Sequence, residues 1–180
     1  MIETEVKIKV NSIQDIIGGL MQLDFIKASV VYEHDIYYNS TTYNLREKDM
    51  AVRVREERIE SSAYTLNYKG PKLDDKTMTR EEVEFTIPSF EAGDTFLRGL
   101  GFIPAGEVEK TRTHYVKDDV TICVDSVTGL GDFAEIEIMA EEDEYKEALA
   151  RIEQLVSKLG LSMADSIRRS YLSMLQEKYK

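Results

Sequence analysis

Charged and apolar residues alternate from the start of the chain. In Glu3-Thr4-Glu5-Val6-Lys7-Ile8-Lys9-Val10 every second residue is ionic and the residues between are apolar or β-branched. A strand turns successive side chains to opposite faces, so Glu3, Glu5, Lys7 and Lys9 share one face and Thr4, Val6, Ile8 and Val10 the other. Ser12, with Asp15 three residues on, predicts a capped helix start, and Ile13, Ile16, Ile17 and Leu20 give that helix one apolar stripe. The β-branched and aromatic run from about Ala28 to Asn39 predicts a long strand with Glu33, Asp35 and Tyr37 on one face. Ala51–Arg55 alternates again, with Arg53 and Arg55 on one side. A strand over Ala63–Lys69 is expected to end at Gly70-Pro71, and Lys72–Lys76 reads as a polar hairpin loop.

The opening pattern then returns. In Arg80-Glu81-Glu82-Val83-Glu84-Phe85, Arg80, Glu82 and Glu84 face one way while Val83, Phe85 and Ile87 face the other. A shift of 77 positions without a gap lays Glu5-Val6 on Glu82-Val83, Ser12 on Ser89 and Leu20 on Leu97. It also lays Leu23, Phe25, Ile26 and Ala28 on Leu100, Phe102, Ile103 and Ala105. Eight identities in the 26 positions from Glu3 to Ala28 indicate an internal repeat inside a single domain, with halves at about 1–77 and 78–180. The second half continues with Lys110 and Arg112 on one strand, Asp125 on the next, a turn at Gly129-Leu130-Gly131, and Glu135 and Glu137 on one face of Phe133–Ile138. A helix is predicted from about Glu142 to Leu159, with Ala148, Ile152, Leu155 and Leu159 as its stripe and Gly160 as its stop. A last helix takes in Ile167, Tyr171, Met174 and Leu175.

About eight strands result, most of them ionic on one face and apolar on the other, which sets the fold class as α+β. One arrangement is an eight-stranded antiparallel barrel with helices on an apolar outer surface and a hydrophilic interior. The other is an open antiparallel sheet whose charged face is wet and laced with salt bridges. The basic members of the ionic face are Lys7, Lys9, Arg53, Arg55, Lys69, Arg80, Lys110 and Arg112; the acidic ones are Glu3, Glu5, Glu82, Glu84, Asp125, Glu135 and Glu137. Enclosing so many charges is costly unless a ligand satisfies both signs, as a polyphosphate with a divalent cation does. Arginine meets phosphate oxygens in pairs, and hard carboxylates suit Mg²⁺ or Mn²⁺.

Charge narrows the partners. Across 180 residues the formal net charge is −11 and 42% of residues are apolar, enough for one domain with a real core. The acidic balance argues against non-specific binding to nucleic acid or to an anionic membrane, so an anionic ligand depends on local basic groups. Cys123, the single cysteine, lies in the apolar-looking run Val120–Val124 and reads as a buried core thiol. No apolar run approaches membrane-spanning length and no signal-peptide pattern is present, which leads to the expectation of a cytoplasmic protein.

Seven segments together resemble one family. They are Glu3-x-Glu5-x-Lys7, Asp35-x-Tyr37-Tyr38, Arg53-x-Arg55, Tyr68-Lys69-Gly70-Pro71, Arg80-x-Glu82-x-Glu84, Lys110-x-Arg112 and Gly129-Leu130-Gly131-Asp132-Phe133-x-Glu135-x-Glu137. In this order, over nearly the whole chain, they resemble the CYTH superfamily of class IV adenylyl cyclases, thiamine triphosphatases and inorganic triphosphatases. The resemblance implies a barrel-like tunnel that binds a triphosphate, with Glu3, Glu5, Glu135 and Glu137 as metal ligands and Asp125 as an additional acid. It implies that Lys7, Arg53, Arg55, Lys69, Arg80, Lys110 and Arg112 hold the phosphates of ATP or another triphosphate. The Lys69-Gly70-Pro71 hairpin and the Gly129–Phe133 turn are most similar to the CyaB-type class IV cyclases, and that branch implies a homodimer.

Three functions follow from this reading: cyclisation of ATP to cyclic AMP and pyrophosphate, hydrolysis of a triphosphate, or non-catalytic sensing of polyphosphate or nucleotide. Paired carboxylates at Glu3/Glu5 and Glu135/Glu137 speak against the sensor, since phosphate binding alone does not need them. No residue is identified as a general base or as a reader of adenine. His34 and His114 are expected to be structural or surface residues, and Tyr37, Tyr38 and Tyr115 core or tunnel wall. Arg168-Arg169 has two readings, closing over phosphate or lying on a solvated helix face, of which the second is expected; Glu141–Glu144 is expected at a helix N-terminus where the macrodipole favours acids.

Overall fold

The computed structural model describes residues 2–73, 80–141 and 144–179. Its strands are β1 (Ile2–Lys9), β2 (Ile26–Ser40), β3 (Ala51–Arg58), β4 (Ser62–Lys72), β5 (Arg80–Ile87), β6 (Phe102–Lys117), β7 (Val120–Val127) and β8 (Gly131–Ala140). The helices are α1 (Ile13–Gln22), α2 (Phe90–Gly99), α3 (Tyr145–Lys158) and α4 (Tyr171–Lys178). The sheet is closed, in the order β1-β5-β4-β3-β2-β6-β7-β8 and back to β1, with every paired neighbour antiparallel. Closure decides between the two arrangements in favour of the barrel.

The strands form where polar and apolar residues alternate; their outward residues make the two clusters under α1, α3 and α2, while the cluster with Tyr171 of α4 fills the barrel from its inward face. Val6 and Ile8 of β1 with Val10 just after it, Ile122 and Val124 of β7 and Ile136 and Ile138 of β8 pack under Ile16 and Leu20 of α1 and Ala148, Ile152 and Val156 of α3. Each fully buried aliphatic side chain there contributes roughly 1.5–3 kcal/mol. A smaller cluster lies under α2, around Val54, Leu66 and Leu97, and a third under α4, around Val108, Val127 and Phe133. The approach of α2 is close enough that a Cβ on Gly93 would stand 2.8 Å from Val54 Cγ2 and 2.7 Å from Ile87 Cδ1. Ser12 and Ser89 cap α1 and α2 alike, each hydroxyl accepting a backbone N–H three residues on at 3.2 Å.

Exchanging β1 with β5, β2 with β6, β3 with β7 and β4 with β8 leaves this cyclic order unchanged. The exchange also has a register. Glu3 pairs with Arg80 across β1–β5 and Glu33 with Lys110 across β2–β6, and both pairs are 77 positions apart in sequence. The backbone is therefore two-fold about the line joining these pairs, which lie on opposite walls of the barrel.

Some boundaries differ from the sequence reading. β4 runs on through Gly70-Pro71 to Lys72, because the register shifts between Lys69 and Lys72 and a bulge tolerates a proline with no N–H to give. α4 starts only at Tyr171, so Ile167 lies in an extended segment whose N–H donates to the Lys7 carbonyl at 2.8 Å. Cys123 is buried as expected, but on the inward face of β7, across from His114 and Glu135 and outside the apolar clusters. Most of the expected loop after Lys72, and Glu142 and Asp143 of the acidic run, lie outside the described residues. No described helix is long and apolar enough to cross a membrane.

Candidate active site

Inward-facing residues from every strand but β7 line a cavity of about 560 Å³. Lys7, Arg53, Arg55, Lys69, Arg80, Lys110 and Arg112, the basic set expected from the sequence, all stand on its wall. So do Glu3, Glu5, Glu135 and Glu137, joined by Glu82 and Glu84.

The two-fold of the backbone is reversed in charge. In the first half Asp35 on β2 receives Arg55 of β3 through Nε at 2.7 Å and Nη2 at 2.9 Å. At the equivalent place in the second half Arg112 on β6 gives Nε and Nη2 to Asp125 of β7 at 2.7 and 2.6 Å. Glu33 and Lys110, which exchange with each other, form an ion pair at 3.1 Å. Two of these pairs lie within a half and Glu33–Lys110 joins the halves, and the cations are held by buried carboxylates while still facing the cavity.

These carboxylates divide into two groups. Burial alone would raise Glu33, but Lys110, Arg112 and Arg55 hold it down at about 2; Asp35 is pulled lower still from its usual value by Arg53 and Arg55. Glu135 is also held well below the usual range despite burial, by Arg112, Lys7 and Lys110, with Lys7 Nζ 3.1 Å from its Oε1. Glu82, 2.8 Å from Lys69 Nζ, lies at about 2. The second group is Glu3, Glu5 and Glu137. Burial raises all three, and mutual repulsion adds to it: Glu3 reaches about 7, while Glu5 and Glu137 are shifted up. Glu5 and Glu137 stand directly opposite across β1–β8, with Glu3 two residues along the same face.

That second group bears on metal. Among the described residues no three His, Cys, Asp or Glu side chains already converge as a ligand set. The donor chemistry nonetheless fits a hard divalent cation, since Glu3, Glu5 and Glu137 are carboxylate oxygen donors crowded on one face of adjacent strands.

Two expected residues are placed elsewhere. Asp125 is fully buried behind the cavity wall, both oxygens taken by Arg112 and one also by the Tyr171 hydroxyl at 2.9 Å, so it holds side chains in place rather than facing the cavity. Lys9 is exposed, its ammonium 5.8 Å from the Phe133 ring, because Phe133 and Tyr171 fill the barrel at that level. Other wall residues were missed by the sequence reading or expected on another surface. Lys72 reaches the cavity because of the β4 bulge, and pairs there with Asp49. Arg168 and Arg169 line it from the extended segment before α4 rather than from a solvated helix face; Ser170, which accepts the Ser173 N–H as the helix cap, was the available signal. His34 pairs with Glu107 at 3.2 Å and His114 with Ser29 at 3.0 Å, both off the cavity wall. Tyr37 is on the wall, Tyr38 both lines it and donates to Asp94 at 2.8 Å, and Tyr115 belongs to the core.

A closed antiparallel barrel with an ionic interior and helices outside defines a tunnel protein. The chain belongs to the CYTH domain family, whose model matches residues 1–171. A Methanocaldococcus jannaschii protein named "putative adenylate cyclase" is 33% identical over 175 residues, spanning 97% of this chain and 98% of that one. A solved structure from Pyrococcus horikoshii superposes with a TM-score of 0.89 at 36% identity, covering 98% of this chain and 99% of the other. A Hippeastrum protein described as a "putative adenylyl cyclase" with a dominant triphosphatase activity superposes with a TM-score of 0.71 at 17% identity over 98% and 96% of the chains. At that identity it shares the fold alone.

Proposed function

We propose that the cavity binds the phosphate chain of an organic triphosphate and that the reaction is cyclisation of ATP to cyclic AMP and pyrophosphate, in the cytoplasm. The observation that carries this is the placement of Lys7, Arg53, Arg55, Lys69, Arg80, Lys110 and Arg112 around one cavity that also holds the crowded carboxylates Glu3, Glu5 and Glu137. Its rim adds apolar surface from Leu45, Met50 and Leu172 beside Tyr37, a setting for a nucleoside rather than for bare phosphate. The adenylate cyclase name of the M. jannaschii relative agrees with this reading.

Glu3, Glu5 and Glu137 would hold the divalent cation, Mg²⁺ or Mn²⁺, which supplies neutralisation of phosphate charge and polarisation of the phosphorus–oxygen bonds. Glu135 keeps Lys7 and Arg112 in place, and Asp35 does so for Arg53 and Arg55. The arginines and lysines neutralise the charge that accumulates on the leaving pyrophosphate as the ribose 3′-oxygen attacks the α-phosphorus. Their aim is preset by buried partners, so little reorganisation accompanies the reaction.

Hydrolysis is a second reading with its own support. The rim amides are spent on the protein itself: Asn39 accepts the Ser40 and Leu45 N–H groups and donates to Asn44, while Gln176 donates to Ala105 and accepts from Arg46. Rim amides engaged in this way among the described residues favour a site that grips phosphate and is indifferent to the base. Incubation with ATP, tripolyphosphate and thiamine triphosphate in turn, with Mg²⁺ or Mn²⁺, separates the two. Cyclic AMP with equimolar pyrophosphate supports the cyclase, whereas orthophosphate without cyclic AMP replaces it with a triphosphatase.

A further inference from the structure

Tyr171 is the first residue of α4, and the segment before it is fastened to the barrel. The Ile167 N–H bonds the Lys7 carbonyl and Ser166 bridges Ile8, so the C-terminal part of the chain delivers a side chain into the tunnel. That side chain is 6% exposed. Its ring meets Phe133 edge-on, centroids 5.0 Å apart and planes at 63°. The Lys7 ammonium stands 4.3 Å from the Tyr171 ring centroid and the Lys110 ammonium 5.3 Å. The hydroxyl donates to Asp125 Oδ2 at 2.9 Å, the oxygen that also accepts Arg112 Nη2 at 2.6 Å and lies 3.4 Å from Lys110 Nζ.

We infer that Tyr171 is a positioning residue for the phosphate-binding cations: its ring sets Lys7 and Lys110, and its hydroxyl sets Arg112 through Asp125. The inference rests on the reading of the cavity as a triphosphate site and assigns that site a residue outside the expected phosphate and metal ligands. The ring suits the task because an aromatic face attracts an ammonium without neutralising it. A carboxylate in the same place would compete with phosphate for the lysines. The hydroxyl is a third anchor on Asp125, whose rotation would break both parallel bonds to Arg112. Cations already in place spare an incoming triphosphate the cost of ordering them.

A residue that merely packs α4 against Phe133 would affect stability and leave binding by the folded protein unchanged. The test is calorimetric titration of Tyr171→Phe and Tyr171→Leu with tripolyphosphate and Mg²⁺, below the unfolding range of each variant. Tyr171→Phe keeps the ring and loses the bond to Asp125, so its affinity should fall about 3- to 10-fold. Tyr171→Leu also loses the ring, and its affinity should fall by about a further 10-fold. Should the leucine variant fail to fold, the phenylalanine variant decides the matter, since its packing is conserved. Wild-type affinity in the folded variants would overturn the inference, as would losses that merely track the fraction unfolded. Absence of any binding by the wild-type protein would overturn the reading of the cavity itself, and this inference with it.

Discussion

Glu33 and Lys110 face each other across the β2–β6 pair with 3.1 Å between carboxylate oxygen and ammonium. They are also 77 positions apart in sequence, so each occupies the place of the other in the two-fold arrangement of the barrel. Had the two halves kept the same residue there, two like charges would meet in a buried site. Opposite charges at equivalent positions let a symmetric backbone enclose an ionic interior.

Removing one member of such a pair leaves its partners exposed to the full cost of burial. Glu33 also pairs with Arg55 at 2.7 Å and its side chain is 2% exposed, so Glu33→Gln should lower stability by about 3–5 kcal/mol. Urea unfolding checks this. A loss under about 1 kcal/mol would show that the interior cations are hydrated rather than held.

Arg53 and Arg55 alternate on one strand face but should fail in different ways. Arg55 gives Nε and Nη2 to Asp35 and reaches Glu33, whereas Arg53 makes one bond to Asp35 at 3.1 Å and leaves its buried Nε unpartnered among the described residues. Arg53→Ala should therefore weaken triphosphate binding by about 10- to 100-fold with a modest loss of stability, while Arg55→Ala should chiefly destabilise. Titration beside thermal unfolding of both variants distinguishes the two outcomes.

Glu137 is poised for the reverse trade. Its carboxylate is raised by burial and by Glu3, Glu5 and Glu135, so neutralising it relieves strain that a divalent cation would otherwise relieve. Glu137→Gln should raise the melting temperature of metal-free protein at pH 8 and lower metal-dependent turnover by about 100-fold or more. A lower melting temperature would show that Glu137 is a structural ion-pair partner.

The pH dependence of the metal-free protein should be two-sided. Glu3 moves from its ordinary 4.5 up to about 7 in the fold, so the stability it gives is complete below pH 4.5 and gone above about 7; Glu5 and Glu137 act in the same direction. Glu33 and Glu82 move from 4.5 down to about 2, so their contribution is complete above pH 4.5 and lost as pH falls toward 2. Melting temperatures in chelator should peak in the weakly acidic range and fall on both sides, with Mg²⁺ restoring stability at pH 8. A flat profile from pH 5 to 8 would contradict the crowding of Glu3, Glu5 and Glu137.

Much of this site was legible in the sequence because a strand alternates with a period of two. Glu5, Lys7, Arg53, Arg55, Glu135 and Glu137 declare their face by spacing alone, and the 77-residue repeat pointed to two similar halves, though closure of the sheet came only from the structure. Spacing is silent about what a charged residue meets across the barrel. Asp125 was an additional acid only by the family resemblance, and in the structure its partners consume it. Lys72 was hidden by a bulge that local pattern does not reveal, and Lys9 lost its place to Phe133 and Tyr171. Tyr171, Arg168 and Arg169 arrive from the far end of the chain through two backbone contacts with β1, which no periodicity announces.

The central claim, that the barrel interior is the triphosphate site, is tested most directly by titrating wild-type protein, Arg53→Ala and Arg112→Ala with a non-hydrolysable ATP analogue in the presence of Mg²⁺. Saturable one-to-one binding by the wild type, weakened at least about 10-fold in both variants while they remain folded, is the predicted result. No saturable binding, or affinities unchanged by loss of either arginine, would place the triphosphate outside the barrel and contradict the claim.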